Sequence, residues 1–234
     1  MLILFDIDGT LLMTQGAGTR SMLAAARELY GDAFSFDGVE VAGRIDPLIW
    51  ADVARANGIA DPQAHHDRFR AAYARHLERR LAAENTVTAL PGVTALLEAL
   101  RAEGIALGLL TGNYPEAGLL KLRCAGLDPE FFAVAAWGCD ALDRRGLAPL
   151  AIERHRERSG EALRPRQVLV IGDTPNDVDC AAACGCRSLA VATGGFPRAQ
   201  LAGCGADLAV DDLTDTPGLL AWMLRRAPRR AAEL

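Results

Sequence analysis

The sequence predicts an α/β architecture, a mostly parallel sheet covered by helices on both faces, with an all-helical insertion. Three observations lead there. The apolar runs at residues 2–5, 105–110 and 168–171 are nearly uninterrupted, as in strands buried on both faces. From Pro91 onward such runs alternate with segments of helical spacing, which requires parallel strands joined by crossover helices. Between residues 15 and 85 the spacing is almost entirely helical.

In chain order, residues 2–5 form the first strand, and Asp6, Asp8 and Gly9 follow it into a turn. A flexible stretch, residues 14–18, leads to an Ala-rich helix over 20–29. A second helix covers 47–57, with Leu48, Ile49, Val53 and Ala54 on its apolar face and Asn57-Gly58 as its stop. The third covers 68–83, with Phe69, Tyr73, His76 and Leu77 on one face. Val93, Leu96, Leu97 and Leu100 mark the next helix, which Glu103-Gly104 ends before the strand at 105–110. Helices over 115–125 and 147–158, a strand at 168–171 and a helix over 175–184 come next. Short strands at 188–191 and 208–210 and a helix from about 216 to 226 complete the pattern.

A chain of 234 residues, half of them hydrophobic and 24% charged, buries one sizeable core or a core plus a small accessory domain. Its formal net charge of -5 argues against a nucleic-acid partner, and the basic run at 225–230 reads as a solvated tail. The apolar start is broken by Asp6 and lacks the features of a signal peptide, and no apolar stretch is long enough to span a bilayer. A cytoplasmic protein without a membrane partner, monomeric or homodimeric, is the expectation. None of the six cysteines has zinc-ribbon spacing; Cys180, Cys184 and Cys186 read as small apolar fillers. The four histidines have no metal-ligand spacing, and Trp50, Trp137 and Trp222 are too scattered for a base-stacking surface.

The chemistry gathers after the strands, where open α/β sheets place their sites. Asp6 and Asp8 leave the first strand two residues apart, so both carboxylates emerge on one side. Two neighbouring anions are tolerated when a cation lies between them or one stays protonated, and both conditions suit phosphoryl transfer. After the strand at 105–110 comes Thr111-Gly112-Asn113, a hydroxyl and exposed backbone N–H groups that suit a phosphate oxygen, although an ordinary Thr N-cap reads the same way. After the strand at 168–171 comes Gly172-Asp173-Thr174-Pro175-Asn176-Asp177, whose two carboxylates reach one magnesium ion from strand end and first helical turn.

These motifs, D-x-D-G-T, then L-T-G-N, then G-D-T-P-N-D, resemble the haloacid dehalogenase superfamily of aspartate phosphatases and phosphomutases. The resemblance covers nearly the whole chain. It implies a Rossmann-like core over 1–14 and 86–234 and a helical cap over 15–85, as in phosphoglycolate phosphatases and beta-phosphoglucomutases. It also implies Mg2+-dependent hydrolysis of a small phosphorylated metabolite, phosphoglycolate-like, through an aspartyl-phosphate on Asp6. Asp8 would be the acid and base, and Thr111, Gly112 and Asn113 would bind the phosphoryl group. The metal set would be Asp6, the Asp8 carbonyl and Asp173, with Asp177 acting on the metal through water or orienting its neighbours.

The family usually places a Lys before the helix that here begins near Leu147, and this chain has none there; its single Lys is Lys121. Arg144 is the first candidate for the cation beside the phosphate and Lys121 the second, with Arg145 a surface charge. Arg20 and Arg44 are candidates for holding a substrate carboxylate or a second phosphate, and residues 16–18 and 43–46 are the segments where substrate contacts are expected. An acid at Asp8 disfavours a dehalogenase, and an insertion without Lys disfavours phosphonate hydrolysis. A phosphomutase and a catalytically silent binding protein on the same fold are the alternatives.

Overall fold

Alternation along β1 (Leu2–Phe5) explains why this strand is central. Leu2 and Leu4 enter one apolar core, and Ile3 and Phe5 enter the other. The computed structural model describes residues 1–224. Its main sheet has six parallel strands: β1, β4 (Ala106–Leu110), β5 (Val134–Ala136), β6 (Val168–Gly172), β7 (Arg187–Val191) and β8 (Leu208–Val210). Their order is β5-β4-β1-β6-β7-β8, so the chain runs to one side of β1 and then to the other. A crevice therefore opens where β4, β1 and β6 end side by side, the switch point at which such sheets bind ligands.

Both faces are covered. The core that includes Ile3, Phe5, Leu169 and Ile171 also takes in Leu96 and Leu100 of α4 (Val93–Ala102), Leu122 of α5 (Pro115–Cys124) and Leu219 of α9 (Thr216–Met223). On the opposite face, Leu2, Leu4 and Val170 pack with Leu147 and Ala151 of α6 (Leu147–Ser159) and Cys180 of α7 (Pro175–Ala183). Cys180 is fully buried there, in keeping with an apolar filler. Each large strand side chain buried in this way contributes about 1.5–3 kcal/mol.

The insertion is helical: α1 (Ala17–Tyr30), α2 (Asp46–Ala56) and α3 (Pro62–Glu84). Their aromatic residues join them, with the Trp50 and Phe69 rings stacked at 4.0 Å and Trp50 Nε1 donating to the Pro62 carbonyl at 2.9 Å. α3 begins six residues before its expected start, because Asp61 caps it and accepts from Gln63 N and Ala64 N. Residues 62–67 lack an apolar face, so periodicity missed a start that the Asp-Pro pair marks.

Three short elements were also beyond periodicity: β5, α8 (Arg198–Gly203), and an antiparallel ribbon of β2 (Leu12–Met13) with β3 (Thr88–Ala89). The last helix was expected to reach residue 226; its described part ends at Met223, and the basic run at 225–230 lies outside the described residues. Among the described residues, no helix is long and apolar enough to cross a membrane.

Candidate active site

The strand register brings the site together. Phe5 is level with Leu109 and Ile171, so Asp6, Thr111 and Asp173 follow three adjacent strand ends, and Asp6 N donates to the Ile171 carbonyl at 2.9 Å. Asp6, Asp173 and Asp177 are all buried and each offers an oxygen within 4.8 Å of the others.

Arg144 is buried against this cluster. Its Nη2 lies 3.1 Å from Asp6 Oδ2, and its Nε donates to Asp177 Oδ1 at 3.1 Å. The other Asp177 oxygen accepts from Thr174 N (3.1 Å) and Thr174 Oγ1 (2.6 Å) in a capping box that opens α7. Asp177 is therefore fixed at both oxygens. Asp173 Oδ1 accepts from Thr10 Oγ1 at 3.3 Å, and the backbones at Gly9 and Gly194 approach its carboxylate so closely that a Cβ at either would strike it. Gly9 also has a φ of +76°, which permits the turn after Asp8.

The electrostatics are unbalanced. Burial, with Asp177 and Asp8 nearby, raises the Asp6 carboxyl to about 6 although Arg144 opposes the shift. Burial, with Asp177 and Asp6, raises Asp173 to about 8. Burial alone would lower the Arg144 pKa, but Asp177 and Asp6 hold it above its ordinary value. Three buried carboxylates thus face a single guanidinium, a deficit that a divalent cation with a preference for oxygen ligands would cancel. The donor set fits such an ion.

Asp8 belongs to a separate arrangement. Its carboxylate stands outside the acidic cluster, and its Oδ2 accepts from Lys121 Nζ at 2.6 Å and Asn113 Nδ2 at 2.8 Å. Lys121 also donates to Asn113 Oδ1 at 2.6 Å, and Asn113 Nδ2 donates to Thr111 Oγ1 at 2.8 Å. Thr111 is not a helix cap; the N-cap of α5 is Tyr114. The two carboxylates that close β1 thus have different cations.

A cavity of about 290 Å³ lies over both arrangements, with Asp6, Asp8, Thr111, Asn113, Lys121, Arg144 and Asp173 on its floor. Met22 of α1, Asp46 and Ile49 of α2 and Tyr73 of α3 face them from the insertion.

The match to known proteins is consistent with this geometry. Residues 1–185 match the model of haloacid dehalogenase-like hydrolases. The chain belongs to that family. A phosphoglycolate phosphatase of Cereibacter sphaeroides is 31% identical over 203 residues, 85% of this chain and 88% of the relative. A phosphoglycolate phosphatase of Escherichia coli K12 is 35% identical over 112 residues, 48% of this chain and 43% of the relative. Among solved structures, CbbY from Rhodobacter sphaeroides, in complex with phosphate, shares the fold with a TM-score of 0.73 at 23% identity, covering 92% of this chain and 95% of that one.

Most of the residues expected at this hydrolase's site converge on it, and Gly112 does so through its backbone. The Gly112 carbonyl accepts from Asp46 N at 2.7 Å, and a Cβ on Gly112 would strike the Arg44 carbonyl, so the insertion rests directly on the loop after β4. Arg44 lines the cavity, but Asp52 holds it at 2.5 Å and the Glu40 carbonyl at 3.1 Å. Arg20 corrects the expectation: it does not line the cavity and is instead paired with Glu84 at 2.6 Å, with its side chain exposed. Arg145 is exposed and paired with Asp179, as a surface charge.

Sequence reasoning missed two groups at the site. Asp46 is buried, burial raises its carboxyl to about 7 against the opposing Lys121 charge, and its Oδ2 accepts from Tyr114 N at 3.0 Å. It lies within the segment where contacts were expected, but without a role assigned. Tyr73 read as an apolar-face residue, and nothing in its spacing reveals that its hydroxyl reaches the cavity.

Proposed function

We propose that the chain is a Mg2+-dependent phosphatase that hydrolyses a small phosphomonoester, phosphoglycolate or a close analogue, through an aspartyl-phosphate on Asp6. One observation carries this reading: Asp6 lies in the anionic cluster beside Arg144, whereas Asp8 is held by Lys121 and Asn113. Neighbouring carboxylates in different settings suit one that attacks and one that moves protons.

Thr111 Oγ1 and the N–H groups of Gly112 and Asn113 hold the phosphoryl oxygens. An Asp6 oxygen attacks phosphorus as the bond to the leaving oxygen breaks, and Asp8 gives that oxygen its proton. Asp8 then takes a proton from water as the water oxygen bonds to phosphorus; the bond to Asp6 breaks and inorganic phosphate leaves. Arg144 steadies Asp6 and Asp177 throughout, and Lys121 keeps Asp8 turned toward the substrate. Held by Asp6, the Asp8 carbonyl and Asp173, with Asp177 orienting its neighbours, Mg2+ would supply the charge that lets a phosphate dianion approach a carboxylate.

Residues 1–14 and 86–234 form the catalytic core in this reading, and 15–85 the cap that excludes water. The β2–β3 ribbon, where the chain leaves the sheet region and returns, supports that division. The cavity volume suits a small leaving group, and the names of the curated relatives favour phosphoglycolate. A cytoplasmic setting fits a chain whose cysteines are all free. The test is phosphate release from 2-phosphoglycolate and from p-nitrophenyl phosphate, with Mg2+ and with EDTA. Metal-dependent release that Asp6→Asn abolishes is the expected result; no release from either substrate, or release that survives Asp6→Asn, overturns the reading.

A further inference from the structure

The cap side of the cavity holds two polar groups that no protein partner satisfies. Tyr73 is 1% exposed, yet among the described residues nothing hydrogen-bonds its hydroxyl. The cause is the cavity, which Tyr73 lines: among the described residues, Thr86 Oγ1 is the sole side-chain atom sealed from solvent without a partner. Asp46, 6% exposed, accepts from Tyr114 N at Oδ2 and has no partner for Oδ1 among the described residues. A Cβ placed on Gly18 would stand 3.4 Å from Lys121 Nζ and 3.6 Å from the Tyr73 hydroxyl, so those two groups border one gap. Met22, Val41 and Ile49 make the surrounding wall apolar. The nearby cations are engaged, Lys121 by Asp8 and Asn113 and Arg44 by Asp52.

We propose that the Tyr73 hydroxyl and the Asp46 carboxyl form the subsite for the leaving group, selecting phosphomonoesters whose alcohol carries a further oxygen function, a carboxylate or a hydroxyl. The proposal rests on the phosphatase reading and specifies its substrate class. The Tyr73 phenol, open only to the cavity, exchanges cavity water for a substrate oxygen when one arrives, and a leaving group that displaces the water without supplying that oxygen leaves the phenol unsatisfied. The two sources differ at Asp46. A substrate hydroxyl can donate to Asp46 while accepting from Tyr73; a substrate carboxylate accepts from Tyr73 and is repelled by an ionised Asp46.

The test compares kcat/KM of wild type, Tyr73→Phe and Asp46→Asn on 2-phosphoglycolate, glycerol 1-phosphate and p-nitrophenyl phosphate. For Tyr73→Phe, the preference for the better oxygen-bearing substrate over p-nitrophenyl phosphate is expected to fall about tenfold. Asp46→Asn then separates the sources: a gain on 2-phosphoglycolate marks a carboxylate, and a loss on glycerol 1-phosphate marks a hydroxyl. An equal loss on all three substrates, or no change in preference, overturns the proposal. Calorimetric binding of 2-phosphoglycolate and glycerol 1-phosphate to Asp6→Asn, with and without Tyr73→Phe, repeats the comparison without turnover. A tenfold weakening there, with no turnover by wild type, would sink the phosphatase reading and leave the subsite standing; equal binding by the two variants would sink the subsite alone.

Discussion

Asp6 and Asp8 are two residues apart and occupy opposite electrostatic settings. On the Asp6 side, three buried carboxylates share one guanidinium, and burial raises the carboxyls of Asp6 and Asp173 to about 6 and about 8. On the Asp8 side, one half-exposed carboxylate meets one buried ammonium at 2.6 Å and an amide at 2.8 Å. The first side lacks positive charge and the second is balanced. In the proposed function this difference lets one short motif supply both a metal-dependent nucleophile and a proton carrier, provided distant residues divide the cations between them. Arg144 and Lys121 make that division.

The largest effect belongs to Asp6→Asn, which should lower kcat by about 10⁴-fold or more in a steady-state phosphate-release assay. Asp8→Asn should cost about 10²–10⁴-fold, the usual range for general acid–base catalysis, and should slow breakdown of the phosphoenzyme as well as its formation. Wild-type burst and steady-state rates from that variant would contradict the split.

Arg144→Ala and Lys121→Ala compare the two cations directly. Removing Arg144 leaves the buried Asp6 and Asp177 without their cation, and such losses cost about 3–5 kcal/mol. Removing Lys121 leaves Asp8 partly open to water, so thermal melts should show a smaller loss of stability with a clear loss of kcat. Equal losses of stability from the two variants would mean that the two sides are alike.

The smallest effect is a dependence of stability on pH. Without metal, Asp6 and Asp173 stay protonated in the folded chain at pH values where the unfolded chain, with carboxyls near 3.8, has already released its protons. The folded state binds more protons, so stability should fall as pH rises from about 4 through about 8. Melts in EDTA at pH 5.5 and 8 should show that fall, and Mg2+ should reverse it at pH 8. The slope should shrink in Asp173→Asn.

Much of the site was legible in the chain because it follows from local pattern. The apolar run ending in Asp6, and the later ones ending at Thr111 and Asp173, marked three strand ends, and α/β topology requires neighbouring strand ends to share a crevice. Which cation faces which carboxylate was not legible, since it depends on how α5 and the turn at Arg144–Gly146 pack across the sheet. Arg20 was misread because a surface ion pair with Glu84, 64 positions later, leaves no local trace. Tyr73 was hidden for the opposite reason. Its ring belongs to the apolar face that the spacing revealed, and only the fold brings its hydroxyl to the cavity.

The most direct test of the divided carboxylates is to find the phosphoryl group. Asp8→Asn, mixed with the best substrate and Mg2+ and quenched in acid, should carry a phosphoryl group that peptide mass spectrometry, after reductive trapping of the acyl phosphate, assigns to Asp6. A label on any other residue, or turnover in the wild type with no trapped label in either protein, would contradict the account.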